Sequence, residues 1–293
     1  MTQTPASISG FTFIRNGIDL GFPFEASIRS LLPLVDEFVV AVGQGSDDTL
    51  ARVRAIGDPK IRIIETLWNE RMSDRGFVYA QQKMIAQYSC TGDWAFYLEG
   101  DEVVHEEDLP AIRASVDRHH HNPNVEALVF DYPHFYGTAG WVPISPGWYR
   151  RECRLIRNTI RSYAPDGQYW LVTTDHKKGR DPKAALPGQR TRLSLRLDTA
   201  QRRHAKKLDQ VSKYWATAAT QVHYSKFDRR ALSAFTDSHP AIAKQWLANE
   251  AEQVLRLDPD YTPTKKENKY HLMRQIETLT GFDFSRKHFK LVV

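Results

Sequence analysis

The chain is 293 residues long, with 41% hydrophobic and 26% charged residues, 16 Gly and 15 Pro. These are ordinary globular values and exclude a disordered, collagen-like or coiled-coil chain. The net charge of +5 is unevenly spread: residues 150–213 carry 17 Lys/Arg against 6 Asp/Glu, a local balance of +11, and the rest of the chain balances at −6.

Such asymmetry fits an anionic partner, or else a solvated arginine-rich loop. Cys90 and Cys153 stand too far apart for a zinc knuckle and too few for a disulfide framework. They read as half-buried thiols in a reducing compartment. No stretch reaches the roughly 18 apolar residues of a membrane helix. Met1–Gly10 lacks the apolar core of a signal peptide. The expectation is a cytoplasmic protein with no transmembrane segment.

In chain order, Ser9–Arg15 is short and apolar, a strand. Phe24, Ile28, Leu31, Leu32 and Val35 share one helical face, and Pro23 suits its first turn. Phe38–Val42 is an unbroken apolar run, as in a buried parallel strand. A helix follows over Leu50–Ile56, with Ser46 and Asp47 as its N-caps. Lys60–Thr66 alternates like a strand; Phe77, Ala80, Met84, Ile85 and Tyr88 mark a helix; Trp94–Leu98 is a fourth strand. This alternation predicts a mostly parallel α/β sheet with helices on its faces. Ligands then bind beyond the carboxyl ends of the strands. The triple His119–His121 lies at an expected helix end, as a solvated last turn or, less simply, a metal set. Ile242, Trp246, Leu247, Ala251, Val254 and Leu255 make a helical stripe stopped by Pro259. Tyr270, Met273 and Ile276 mark another helix capped by Gly281. These last helices read as a small extension, either simply packed on the sheet or serving as a clamp or dimer contact.

Two strand ends carry candidate chemistry. Gly43-Gln44-Gly45 lacks the third glycine of a dinucleotide fingerprint, so a pyrophosphate cradle is not specified there. After the fourth strand come Glu99-Gly100-Asp101-Glu102. Two acids at i and i+2 can face one hard cation, Mg²⁺ or Mn²⁺. The simpler reading is an acidic surface turn.

The block Gly92–Glu102 (GDWAFYLEGDE) resembles the strand and DxD-type motif of family 2 glycosyltransferases. Ser9–Gly17, Val35–Thr49 and Trp148–Asn158 (WYRRECRLIRN) are similar to stretches of its bacterial members, so the likeness spans roughly residues 8–230. The resemblance implies a GT-A fold, a nucleotide-sugar donor, usually a divalent cation, and inversion at the anomeric carbon. It divides the chain into a glycosyltransferase domain, 1–230, and a helical C-terminal extension, 231–293. Within the domain, about 1–105 is the donor half and about 106–230 the acceptor half, with the basic segment 150–213. It implies metal contact by Asp101, with Glu99 where the first aspartate of the motif stands. Asp47 and Asp48 fall near the nucleotide-base contact, with Gly43 replacing a family aspartate. Arg15 and Asn16 fall at the donor-facing edge, and Arg71 and Arg75 are either diphosphate contacts or solvated. His223, in Gln221-Val222-His223-Tyr224, resembles an element that closes over the donor, as a third metal ligand or a structural residue.

Inversion needs a base for the acceptor hydroxyl, and a carboxylate suits. Asp166 is the first candidate and Glu152 the second; a turn and an ion pair are their plain alternatives. Trp141, Trp148 and Tyr149 form a stacking platform or pack the core. Arg190, Arg192 and Arg196 belong to the basic segment and are expected to meet an anionic acceptor: a phosphorylated glycan or lipid, or a modified nucleic-acid base. The alternative functions are a nucleic-acid-binding protein with a degenerate donor site, and a nucleotidyltransferase on a similar sheet.

Overall fold

The computed structural model describes residues 5–72, 74–136, 138–173, 179–186, 226–250, 257–285 and 287–292, and the backbone of 196–198. The unbroken apolar run becomes β2 (Glu37–Gly43), buried on both faces, beside β1 (Ile8–Ile14). Lys60–Thr66 alternates because it forms β3 (Ile61–Thr66), an edge strand buried less deeply than its neighbours. β4 (Trp94–Tyr97) lies on the other side of β1 and is wholly buried.

Between them run α1 (Phe24–Leu31), α2 (Thr49–Ala55) and α3 (Phe77–Tyr88), and α4 (Leu109–His120) follows β4. His119–His121 do close α4, as its last turn and C-cap. Helix α3 departs from the expected stripe. Phe77 and Tyr88 are exposed, whereas Gln82, Lys83 and Gln87 are buried. The face was misread because polar residues that bond inside the protein occupy positions an apolar pattern would fill.

The second half supplies β5 (Ala127–Asp131), β6 (His134–Tyr136), β7 (Trp141–Pro143), β8 (Arg151–Arg157), β9 (Ser162–Tyr163), β10 (Leu171–Val172), β11 (Lys183–Ala185) and β12 (Arg196–Asp198). Beyond residue 230 come β13 (Leu232–Ala234), α5 (Lys244–Glu250), α6 (Lys265–Thr280) and β14 (Lys290–Leu291). Gly281 caps α6 in the left-handed region, as expected.

Among the described residues, eight strands form one sheet in the order β14-β11-β5-β8-β4-β1-β2-β3. Every pairing is parallel except those of β8, which runs antiparallel to both β4 and β5. This is the mostly parallel α/β sheet expected from the sequence. Residues beyond 230 join the rest of the fold twice: β14 extends the far edge of this sheet through β11, and β13 pairs with β7 in a separate two-stranded sheet. No described helix is long and apolar enough to cross a membrane.

Candidate active site

The carboxyl ends of β1, β2 and β4 meet at one edge. Asn16, just past β1, has φ 53° and accepts the Ser46 N–H at 2.8 Å through Oδ1. Gly45 permits that approach, since a Cβ there would stand 2.1 Å from Asn16 Oδ1. A Cβ at Gly43 would stand 2.3 Å from Trp68 Nε1. These two glycines therefore serve close packing of the loop. Asp47 accepts hydrogen bonds from the Thr49 N–H (3.0 Å), the Thr49 hydroxyl (2.5 Å) and the Asp19 N–H (2.9 Å). Burial pushes its carboxyl up, but these bonds prevail and hold it below the usual range. The N-cap position of α2 itself is Asp48, which is exposed and makes no side-chain cap bond. Ser46 stands two residues before that position, and its N–H donates to Asn16 Oδ1.

A pocket of about 400 Å³ opens between the ends of β2 and β3, lined by Gly43, Gln44, Gly45, Asp47, Glu65 and Thr66. Arg15, just past β1, pairs with Glu70 and lies 5.3 Å from the Trp68 ring centroid. Arg71 and Arg75 are exposed on the loop after β3, Arg75 with φ 45°.

The acidic run leaves the end of β4. Glu102 is fully buried and grips Arg154 with both oxygens: Nε donates at 3.0 Å and a terminal nitrogen at 2.8 Å. The same nitrogen donates to Glu99 at 3.2 Å and to the Tyr132 hydroxyl at 3.2 Å. Arg154 is fully buried in β8, in the irregular step where Val129 faces Cys153 and Leu128 faces Leu155. Such a bulge re-aims a side chain that regular pairing would point elsewhere. Burial raises the Glu102 carboxyl to about 7, against the pull of Arg154. Burial also opposes the charge on Arg154, but Glu102 and Glu99 overcome it and hold the guanidinium charged. Asp101 lies in the same turn, 6% exposed. Among the described residues no three His, Cys, Asp or Glu are grouped as a metal set; His223 lies outside them.

A second buried cation sits nearby. Lys83 Nζ lies 3.8 Å from the Trp170 ring centroid and 4.1 Å from that of Tyr97, and donates to the Gln168 carbonyl at 3.1 Å. Arg154 donates to the same carbonyl at 3.3 Å. Gln168 N–H in turn donates to Asp166 Oδ1 at 2.8 Å, so the turn expected around Asp166 is present and fastened to both cations. Glu152 is 2% exposed and engaged: one oxygen accepts from Cys153 N–H at 3.0 Å, and the other lies 2.8 Å from His288 Nδ1.

The aromatic candidates lie beyond Tyr132. Tyr149 packs on Tyr132 and His134, with ring centroids 5.1 Å and 4.5 Å apart, and Trp148 packs on His134 at 5.1 Å. Trp141 starts β7. The backbone of Arg196 lies opposite His134 in the β12–β6 pair; Arg190 and Arg192 fall outside the described residues.

Lys83 and His288 escaped the sequence reading, and Glu102 stood in the acidic run without a role of its own. Arg154 stood in a quoted motif but was indistinguishable from its neighbouring arginines. The available signal was Gln82-Lys83 and Gln87 breaking an apolar helix.

No protein-family model matches the chain, and no curated protein matches it. Several solved structures are partly similar. One is Staphylococcus aureus TarS, at 14% identity over 52% of this chain and 28% of that one, with TM-score 0.35. Its 1–349 form, in complex with UDP-GlcNAc, aligns at 14% identity over 52% and 45%, with TM-score 0.36. Another is glucosyl-3-phosphoglycerate synthase from Mycobacterium tuberculosis, in complex with Mn²⁺, UDP and phosphoglyceric acid. It aligns at 20% identity over 45% of this chain and 43% of that one, with TM-score 0.30. The chain thus spans less than half the length of each.

Proposed function

We propose that the protein is a metal-dependent, inverting glycosyltransferase of GT-A architecture, with residues 1–230 as the catalytic domain and 231–293 fastened onto it. The observation that carries this reading is the Glu99–Glu102 turn at the carboxyl end of β4, on the same edge of the sheet as a pocket at the ends of β2 and β3, with β1 between them. In a mostly parallel sheet that edge is where ligands bind.

The pocket takes the nucleoside of the donor, next to Asp47, Asp48, Arg15 and Asn16. Arg71 and Arg75 face the diphosphate. The turn after β4 fits a hard cation, because carboxylate oxygens are the protein ligands that Mg²⁺ and Mn²⁺ take. Asp101 would hold the ion, with Glu99 near it and His223 as a further ligand. When bound, the ion neutralises charge on the departing diphosphate. Arg154 withdraws Glu102 and steadies Glu99, so the turn keeps one shape.

Inversion follows from attack on the face opposite the leaving group. The acceptor hydroxyl gives its proton to a carboxylate as its oxygen bonds to the anomeric carbon, and the bond from that carbon to the diphosphate oxygen breaks. Asp166 is the base proposed here, because Glu152 is already engaged by His288 and the Cys153 N–H. Trp148, Tyr149 and the basic residues Arg190, Arg192 and Arg196 receive an anionic acceptor.

Thermal shift with nucleoside diphosphates and Mn²⁺ tests the reading. A ligand at 100 times its Kd stabilises by roughly 2.7 kcal/mol. Slow, Mn²⁺-dependent hydrolysis of a nucleotide sugar should release a nucleoside diphosphate. Pyrophosphate release would make the protein a nucleotidyltransferase, and no turnover with tight nucleic-acid binding would make it a binder.

A further inference from the structure

A second pocket, of about 380 Å³, lies away from the acidic turn, between the 144–148 loop, residues 227–231 and the first half of α6. Its size falls within the usual range for small-molecule sites. Four aromatic side chains line it: Trp148, Phe227, Tyr261 and Tyr270. The loop presses on the helix at Gly147, where a Cβ would stand 2.7 Å from the Tyr270 ring.

The walls are braced before any ligand arrives. Asp228, 4% exposed, accepts from Arg230 Nε at 2.9 Å and from a terminal Arg230 nitrogen at 2.9 Å. Arg230 also donates to Asn268 Oδ1 at 2.7 Å, tying the 227–231 segment to α6. Glu267 accepts from Thr264 N–H and hydroxyl, each at 2.7 Å, and from the Tyr261 hydroxyl at 2.8 Å. Burial pushes both carboxyls up, yet these donors hold both below the usual range, so both stand as carboxylates in the lining at neutral pH, among the cationic side chains of Arg230, Lys266 and Arg274.

That mixed lining of donors and acceptors suits a ligand rich in hydroxyls. Ionised carboxylates accept bonds from neutral hydroxyls, and guanidinium and ammonium groups donate to the same hydroxyls. A pyranose ring offers an apolar C–H face and a rim of hydroxyls. Aromatic faces cover the first, and fixed carboxylate, guanidinium and imidazole groups bond to the second.

The pocket also connects to the acidic turn. Trp148 packs on His134 at 5.1 Å, His134 on Tyr132 at 4.8 Å, and the Tyr132 hydroxyl accepts from Arg154. Two ring contacts and one hydrogen bond therefore link the pocket wall to the cation that grips Glu99 and Glu102. A unit bound here is too remote to react and helps only by holding a longer molecule in place.

We infer that this pocket is a saccharide subsite holding a non-reacting unit of an oligosaccharide acceptor. The inference rests on the glycosyl-transfer reading for its role, and on the pocket itself for its ligand class. The test is calorimetric titration of the full chain with tetrasaccharides of glucose, N-acetylglucosamine, galactose and mannose. At least one should bind. Tyr270→Ala should weaken it by about tenfold or more, and Tyr270→Phe, which keeps the ring, should retain it. Leu279→Ala, at a position 85% exposed and outside the pocket, should bind as wild type does. No binding by any of the four, or equal binding by Tyr270→Ala and Leu279→Ala, overturns the subsite. Tighter binding of an eight-residue thymidylate than of every tetrasaccharide overturns it in favour of nucleic acid. UDP with Mn²⁺, titrated separately, reports on the transferase reading: UDP binding without saccharide binding sinks the subsite alone. Saccharide binding with no nucleotide binding keeps the subsite and removes the transferase.

Discussion

The two faces of the central sheet are built differently. One, under α1 and α4, is mainly apolar: Phe38, Val40, Val42, Phe96 and Leu155 meet Ile28, Leu31, Ile112 and Val116, and the polar residues those helices bury are the small Ser27, Ser30 and Ser115. The other, under α3, mixes Phe11, Val39, Tyr97 and Trp170 with buried Gln82, Lys83 and Gln87. Each polar group there has a partner. Gln82 accepts from the Thr66 hydroxyl at 2.6 Å, Trp170 Nε1 donates to Gln87 at 2.7 Å, and Lys83 reaches Gln168. The first face supplies stability by area alone, which is non-directional. The second spends burial on bonds that hold the loops around the candidate site, which area cannot do.

The edge where the faces meet should show the largest effect. Asp101→Asn should lower kcat with Mn²⁺ by about 10²-fold or more, since a lost metal contact removes several kcal/mol of charge stabilisation. Its urea midpoint should barely move. Near wild-type turnover would remove Asp101 from the site.

Arg154→Met should then cost about 3–5 kcal/mol of stability, because it strands Glu102 in the interior. Adding Glu102→Met should recover much of that loss, since both charges go together. If the double variant is no more stable than the single one, the buried pair is not what Arg154 supports. On the apolar face, Leu31→Ala should cost about 2–5 kcal/mol through the cavity it leaves. The kcat/KM of the folded fraction should stay as in wild type. A comparable loss of activity would erase the distinction between the faces.

Lys83 gives a signature in pH. Burial first, and Arg154 second, push its ammonium down to about 7 from 10.5, while Glu99, Asp166 and Glu152 pull the other way. Between those values the unfolded chain binds a proton that the folded chain does not. Stability therefore rises with pH across that window and is flat below it. Lys83→Met should abolish that rise, read as the difference in urea midpoint between wild type and variant from pH 6 to 10.5. A parallel pair of curves would show that Lys83 is charged and comfortable where it lies. The smallest effect falls outside both faces. Thr264→Ala removes the capping box of α6 and should cost about 1 kcal/mol.

Local pattern made one face readable and hid the other. Phe38–Val42, Trp94–Leu98 and the α1 stripe contain their own periods, so β2, β4 and α1 could be drawn from neighbouring residues alone. So could the delivery of Glu99–Glu102 to a strand end, because a buried strand must surface somewhere and polar residues mark the place. Helix α3 was found but turned wrongly, since Lys83 and Gln87 look like a solvated face until their partners, some 80 residues away, are known.

The sequence by itself determined the alternating strand–helix order of the first hundred residues, the sheet class and the position of the acidic turn. These depend on propensity and period, which act over a few residues. Only the tertiary structure decided that Arg154 closes on Glu102, that two cations share the Gln168 carbonyl, and that β14 extends the far edge of the sheet. Those depend on where distant segments meet. A charged side chain acquires its meaning from burial and from its partner, and neither is encoded in the residues beside it.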